Sequence, residues 1–277
     1  MNAMRASLAF PFVNLRGLGL ILMLGLTACS CGESDDGSGG GASTPGATAA
    51  GAGDSEPAVE RRPVDPATAG SISGRVRVAG GATEPEQVLM SEAWCRQQHD
   101  GGSYLDNRVV ADPDGGLANV FVWVKRGVED YAFPEPTGGV VVDQVGCLYT
   151  PRVQGATAGQ PIEVRNSDDT MHNVRVPAAG VNRAMPPGAD PFDIRIRRPP
   201  EMVEFKCDVH AWMKGWVCVV PHPLWAVSGA DGAFRIEGVP PGTHTLEIWH
   251  ETLGTTTRDV VVGESQDLVL EAVVLGG

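Results

Sequence analysis

Residues 205–217 read Phe-Lys-Cys-Asp-Val-His-Ala-Trp-Met-Lys-Gly-Trp-Val. Cys207, His210 and Met213 follow the spacing Cys-x2-His-x2-Met in this stretch. A thiolate, an imidazole and a thioether that lie so close together suit copper, which alternates between a soft cuprous and a harder cupric state. A blue copper site needs two imidazoles and one thiolate in a plane with a weak axial thioether. The stretch therefore predicts three of four metal ligands.

The second imidazole has to come from another part of the chain, and His172 is the candidate. It follows a strand-like run at residues 161–165 (Pro-Ile-Glu-Val-Arg) and is itself followed by Asn173 and Val174. We expect His172 to complete the ligand set.

Each of these residues also has a simpler interpretation. Met213 could fill a gap in the core, Cys207 could be half of a disulfide, and His172 could be a surface histidine after an aspartate pair. Met171 and Met185 are alternative axial ligands, but neither shares the loop with the cysteine. We favour copper, because the simpler interpretations would all have to coincide at this spacing.

The central residues 138–222 resemble a cupredoxin, and their loop spacing is that of the amicyanins within the plastocyanin-like group. In that family an aromatic residue stands two positions before the cysteine, as Phe205 does here, and a glycine such as Gly215 opens the last strand. The chain has Met171 where the family usually has proline before the first histidine. The resemblance implies one mononuclear type 1 copper centre held by His172, Cys207, His210 and Met213.

The same resemblance suggests roles for neighbouring side chains. Asn173 is expected to hydrogen-bond across the cysteine loop, and Phe205 and Trp212 to lie next to the ligands. Trp212 and Trp216 would shield the copper from water, although plain core packing would explain both tryptophans equally well.

Electron transfer is the function that this ligand set favours. A binuclear electron-transfer centre needs a second thiolate in the loop, and a trinuclear cluster needs His-x-His pairs; the sequence has neither. With all four positions filled by protein, no substrate finds an open coordination position, so we expect a one-electron carrier and not an enzyme. A redox protein such as a cytochrome c or a dehydrogenase would be its partner. Copper trafficking and a non-redox binding module are the alternatives.

The segments on either side of the centre have a different pattern. Asp231-Gly232 and Pro241-Gly242 are turn signals between apolar runs, and alternation returns at residues 245–249. Together with residues 70–127 these features resemble the carboxypeptidase regulatory-like, or prealbumin-like, β-sandwich. We infer that the cupredoxin is inserted into this sandwich, because three separate pieces in a row would leave unpaired sheet edges.

Composition agrees with an all-β chain: 36 glycines and 21 prolines punctuate short β-branched runs in 277 residues. We expect a Greek-key cupredoxin sandwich inserted in or adjoining a prealbumin-like sandwich. The formal charge of -13 argues against nucleic acid as a partner. The predicted parts are a signal peptide (1–28), a flexible tether (29–69), the first part of the flanking sandwich (70–135), the cupredoxin (136–224) and the second part of the flanking sandwich (225–277).

The beginning of the chain is typical of an export signal. An apolar run at residues 17–26 leads to Leu26-Thr27-Ala28-Cys29, which resembles a bacterial lipobox and implies lipidation of Cys29. A transmembrane helix and an ordinary secretory signal are the alternatives. We expect a lipid-anchored protein on the periplasmic side of the cell envelope, at the outer membrane in a Gram-negative cell.

The remaining cysteines suggest one cross-link. Three stretches carry a wider resemblance: Asp143-Gln-x-x-Cys147-x-Tyr149-x-Pro151, Cys207-Asp-Val-His210-x-Trp-Met213 and Trp249-His-Glu-x-Leu-Gly254. With them the whole arrangement is similar to bacterial plastocyanin-like lipoproteins, some of them called methylamine-utilisation proteins. In an oxidising compartment Cys95 and Cys147 are the favoured disulfide, tying the flanking sandwich to the insert, with free thiols as the alternative. A second metal site built from scattered histidines and Cys95 is a further alternative; the histidines are His99, His222, His244 and His250.

Overall fold

A computed structural model describes residues 60–81 and 84–276. Almost all of its regular structure is β-strand, so the prediction of an all-β chain is confirmed. The helical elements of this part are α1 (Ala93–Gln97) and two single-turn 3-10 helices (Asp100–Gly102 and Pro177–Ala179). The strands are β1 (Arg62–Pro63), β2 (Gly70–Val78), β3 (Gln87–Leu89), β4 (Ser103–Leu105), β5 (Phe121–Arg126), β6 (Tyr131–Ala132), β7 (Val140–Val145), β8 (Leu148–Thr150), β9 (Val153–Thr157), β10 (Ile162–Asn166), β11 (His172–Val176), β12 (Val181–Met185), β13 (Phe192–Ile194), β14 (Glu201–Lys206), β15 (Lys214–Val220), β16 (Trp225–Val227), β17 (Ala233–Val239), β18 (Gly242–His250), β19 (Gly254–Val262), β20 (Asp267–Val269) and β21 (Val273–Leu275).

The central strands form two sheets. One has the order β13-β10-β7-β8 and the other the order β12-β11-β14-β15-β9. Every second side chain of β11 is buried, and so is every second side chain of β14 from Val203 to Phe205, because successive residues of a strand face opposite sides of the sheet. The inward-facing side chains build one apolar core, whose largest members include Tyr149, Phe205, Ile162 and Met185.

The flanking strands form a second pair of sheets, ordered β16-β5-β18-β19 and β17-β2-β20, with β21 also paired to β2. Strands that precede the central segment therefore pair with strands that follow it, as β5 does with β16 and β18. Their core is separate and includes Ile72, Leu117, Leu246 and Ile248. The domain boundaries themselves stay a prediction.

The two sandwiches share an apolar layer where β5 and β15 face each other. Val217 and Val219 of β15 point into the central core. The residues that follow each of them, Cys218 and Val220, point to the opposite face, into the shared layer. This explains why the end of β15 is buried on both faces. Phe121 of β5 packs there from the other side.

One part of the first flanking segment packs elsewhere. The segment from β3 to β4, residues 87–105, places Met90, Cys95 and Tyr104 in the core of the central strands. The sequence prediction had assigned residues 70–135 to the flanking sandwich without this distinction. We call residues 87–105 the cap, because they cover the loop that carries the candidate ligands.

The predicted tether covers residues 29–69, but Arg62 and Pro63 within it pair with the rest of the fold. β1 pairs in parallel with β6, and Arg62 donates to the Tyr131 hydroxyl at 2.7 Å and stacks over that ring. The stretch is predicted as a tether because it has few large apolar residues, but strand pairing and a cation–π contact do not require a large apolar core. The predicted signal peptide, Cys29 and residues 29–59 of the tether lie outside the described residues. Within the described ranges, no helix has the length and apolar character to cross a membrane.

A buried ion pair connects the two sandwiches beside the shared layer. Arg152, between β8 and β9, donates from Nε and Nη2 to the two carboxylate oxygens of Glu251 at 2.7 and 2.6 Å. Arg152 also donates to Asn107 and to the Lys214 carbonyl, and Trp216 Nε1 donates to Glu251. Both charged side chains are about 5% exposed (6% and 5%). Each charge of the pair is therefore neutralised by the other, and neighbouring groups complete their hydrogen bonds.

Glu251→Gln should destabilise the protein by about 3–5 kcal/mol, because the change leaves a buried guanidinium without its counter-charge. Urea unfolding measures this loss. Glu237→Gln is the control, because Glu237 pairs with Arg235 on the open surface, and surface pairs contribute little. Equal unfolding midpoints for the two variants would contradict the assignment.

Candidate metal centre

Three of the four sequence-predicted ligands meet at one end of the central sandwich. His172 is the first residue of β11, Cys207 directly follows β14, and His210 lies in the loop between β14 and β15. A ligand atom of each lies within 4.8 Å of the others. All three side chains are buried, at 0%, 4% and 1% exposure. Neighbouring strands β11 and β14 thus bring together donors that are distant in sequence.

Hydrogen bonds hold the sulfur of Cys207 in place. The backbone N–H groups of Asn173 and His210 donate to Sγ at 3.3 and 3.4 Å. The Asn173 side chain spans the same gap, since its Oδ1 accepts from the N–H of Asp208 at 3.1 Å and its Nδ2 donates to Asn182 at 2.6 Å. Asn173 therefore ties β11 and β12 to the ligand loop.

The environment of Cys207 favours the thiolate. Burial alone raises the pKa of this thiol, but hydrogen bonds from the His172 and His210 side chains and from the two backbone N–H groups outweigh burial and lower the pKa to about 6. The thiolate is the form that binds a metal. At neutral pH the site is therefore ready to accept a soft cation.

The two imidazoles present the same nitrogen to the centre. His172 Nδ1 lies 3.0 Å from His210 Nδ1, and His210 Nδ1 lies 3.9 Å from Cys207 Sγ. Each Nε2 points away and meets a carboxylate: Asp168 Oδ2 at 2.8 Å from His172 and Glu92 Oε2 at 2.5 Å from His210. A carboxylate that accepts from the outer N–H lets the inner nitrogen lose its own proton and offer its lone pair when a metal binds.

Asp168 also shapes the turn that lies beside the centre. Gly146 and Cys147 form the two-residue turn between β7 and β8, and both have positive φ, 61° and 57°. This is the twist that two-residue hairpins favour, although it is uncommon for a cysteine. The Asp168 carboxylate accepts from both of their N–H groups, at 2.7 and 2.8 Å. One carboxylate therefore holds the turn and His172 together.

Sequence reasoning missed both carboxylates. Asp168 stands four residues before His172, a spacing that could have drawn attention to it. Glu92 is 118 residues from His210, and no local pattern marks it.

Met213 belongs to the same loop and is completely buried. Its N–H donates to the His210 carbonyl at 2.9 Å, which closes a tight turn. Phe205 is also fully buried and packs edge-on against Tyr149, at 6.0 Å between ring centroids. Trp212 lies 5.0 Å from the His210 ring and donates from Nε1 to the Cys147 carbonyl at 3.1 Å. These side chains fill the space around the loop.

The rival axial ligands are less suitable. Met171 is 44% exposed. Met185 is buried, but its sulfur accepts a hydrogen bond from Gln144 Nε2 at 3.3 Å.

The cysteines of the described part have separate roles. Cys95 of α1 and Cys147 of the β7–β8 turn are joined by a disulfide, which attaches the cap to the central sandwich. Cys207 and Cys218 are free. Burial raises the pKa of Cys218 well above its usual value, so it stays a neutral thiol in the shared layer.

The histidines of the alternative second site are dispersed in the described structure. His99 contacts the Gly146 carbonyl and His244 the Pro240 carbonyl, both at 2.7 Å. His222 and His250 accept backbone N–H groups of their own turns. These contacts are structural.

Comparisons with known proteins found likeness only among solved structures. No family model matches the chain, and no curated protein matches it. A reduced copper(I) form of an amicyanin variant is 22% identical, with a TM-score of 0.27, over 31% of this chain and 85% of that one. A purple cupredoxin from Nitrosopumilus maritimus is 18% identical, with a TM-score of 0.25, over 29% of this chain and 98% of that one. At these values the likeness says nothing of what this chain binds.

Titration of the metal-free protein should show one thiolate that forms with a pKa of about 6. The measurement is the ultraviolet absorbance of the thiolate as a function of pH. Cys207→Ser should abolish the step, and Cys218→Ser should keep it. Because the thiolate is the ligand, copper affinity should fall as the pH drops below this pKa. A titration curve near pH 6 that is the same in Cys207→Ser as in the unaltered protein would contradict this account.

Proposed function

We propose that the chain is a mononuclear blue copper protein that carries one electron at a time. The observation that carries the proposal is the convergence of Cys207 Sγ with the Nδ1 atoms of His172 and His210 in a buried pocket. Two imidazoles and one thiolate are the donors that suit such a site, and Met213 of the same loop would supply a weak thioether ligand. Bound copper would supply a centre that changes between cuprous and cupric states.

The donor residues suit fast electron transfer because they are fixed before any metal arrives. Cys207 is held by two backbone N–H groups, and each histidine is held by a carboxylate. Tyr149 connects the two strands that carry ligands, since its hydroxyl donates to the carbonyls of Asn173 and Lys206 at 3.1 and 2.9 Å. Ligands that are held in this way move little when the charge of the site changes, which keeps the barrier to electron transfer low.

The burial of the donors supports a carrier over an enzyme. Each of the four side chains is at most 4% exposed, so a substrate molecule has no direct approach to the centre. An electron needs no such opening. Val209 and Met171 are the residues directly before His210 and His172 in the sequence, and their side chains are 49% and 44% exposed. An apolar contact of this kind suits a short encounter with a redox protein such as a cytochrome c or a dehydrogenase.

The proposal extends to the cell envelope. It draws support from the lipobox-like Leu26-Thr27-Ala28-Cys29 and from the disulfide between Cys95 and Cys147, which suits an oxidising compartment. We propose a lipid anchor at Cys29 on the periplasmic side.

Addition of cupric ion to the purified protein without its first 28 residues should produce an intense blue or purple colour with a reversible one-electron voltammogram. Cys207→Ser should abolish the visible band, because the colour requires the copper–thiolate bond. Cys218→Ser is the matched control, a buried thiol that is remote from the ligands, and should keep the band. Colourless copper binding with rapid metal exchange and no reversible potential would instead support copper trafficking.

A further inference from the structure

The carboxylate of Glu92 is held firmly against His210. Oε2 lies 2.5 Å from His210 Nε2, while Oε1 accepts a hydrogen bond from the Thr170 hydroxyl at 2.5 Å. The Glu92 side chain is 35% exposed, but the imidazole that it contacts is 1% exposed. Both carboxylate oxygens are thus engaged at the outer edge of a candidate ligand.

The cap brings Glu92 to this position from outside the central sandwich. Glu92 directly precedes α1, and Cys95 in that helix is bonded to Cys147 in the β7–β8 turn. The disulfide itself lies against the same edge, with Cys95 Sγ 3.6 Å from His210 Nε2. Arg96 holds the segment directly before Glu92, since it donates to the Met90 and Ser91 carbonyls at 3.2 and 2.8 Å. Several independent contacts therefore place one carboxylate over one imidazole.

This placement has two physical consequences for the centre. An imidazole that donates from Nε2 keeps the lone pair of Nδ1 for a metal, and the acceptor fixes the plane of the ring. A negative charge next to the ligand also favours the more highly charged state of a bound metal. Asp168 acts in the same way on His172, but it belongs to the central sandwich and is 4% exposed.

We propose that Glu92 is a positioning residue of the metal centre: it orients His210 through Nε2 and favours the cupric over the cuprous state. The inference rests on the proposed copper site. It means that the centre is completed by a segment outside the central sandwich, so that the isolated central strands would hold a different site.

The test compares Glu92→Gln with the unaltered protein. Glutamine keeps the shape and an acceptor oxygen but removes the charge. We expect the affinity for Cu(II) to fall about tenfold relative to that for Cu(I). This corresponds to a rise in reduction potential of about 59 mV for one electron. Voltammetry measures the potential, and competition with chelators of known affinity measures each binding constant.

Asp100→Asn is the matched control, since Asp100 is an exposed carboxylate in the same cap that makes no side-chain hydrogen bond in the described structure. It should leave the potential unchanged. Glu92→Ala removes the acceptor as well as the charge and should also weaken binding of Co(II), a redox-inert probe under these conditions. Thermal unfolding of the metal-free variants separates these effects from loss of fold.

The outcomes distinguish this inference from the proposed function. If the unaltered protein is blue and reversible but Glu92→Gln behaves like Asp100→Asn, the positioning role is wrong and the carrier function stands. If the unaltered protein shows no reversible potential but Glu92→Ala still weakens Co(II) binding where Asp100→Asn does not, the carrier function is wrong and the positioning role stands.

Discussion

The contact between a carboxylate and the outer nitrogen of an imidazole is the interaction on which the centre depends. Asp168 makes it with His172 and, through its other hydrogen bonds, holds the Gly146–Cys147 turn in its positive-φ conformation. That turn carries the cysteine that binds the cap, and the cap carries Glu92, which makes the second such contact. Ligand geometry, turn geometry and attachment of the cap are therefore one connected network.

The sequence predicted the parts of the centre that are local. The Cys-x2-His-x2-Met spacing is a property of a single loop, and the structure places Cys207 and His210 in contact there. His172 was found because it follows a strand run. The all-β class followed from short β-branched runs. Such features can be recognised in a single sequence, because strand and turn geometry determines the periodicity of apolar residues and the spacing of residues within one loop.

The rest could not be predicted, because it depends on contacts between distant residues that leave no periodic trace. Glu92 stands between Met90-Ser91 and Ala93-Trp94, where nothing in the sequence marks it as functional, and only the folded chain shows that it meets His210. The cap was assigned with its sequence neighbours, although its core contacts belong to the other sandwich. Similarly, Arg152 gave no sign of its buried pairing with Glu251, which is 99 residues away.

The pairing of strands from before and after the central segment has a consequence for how the chain reaches its native state. β5 pairs with β16 and β18, so the flanking sheet cannot close until residues 126 and 225 are brought together. Bringing the ends of so long a flexible loop together has an entropic cost. The cost is lower if the residues between those ends have already folded. The central sandwich has its own core, and all the partners of its strands lie within residues 140–220. We therefore expect it to act as the folding nucleus, with the outer sheets assembling on it as a late step.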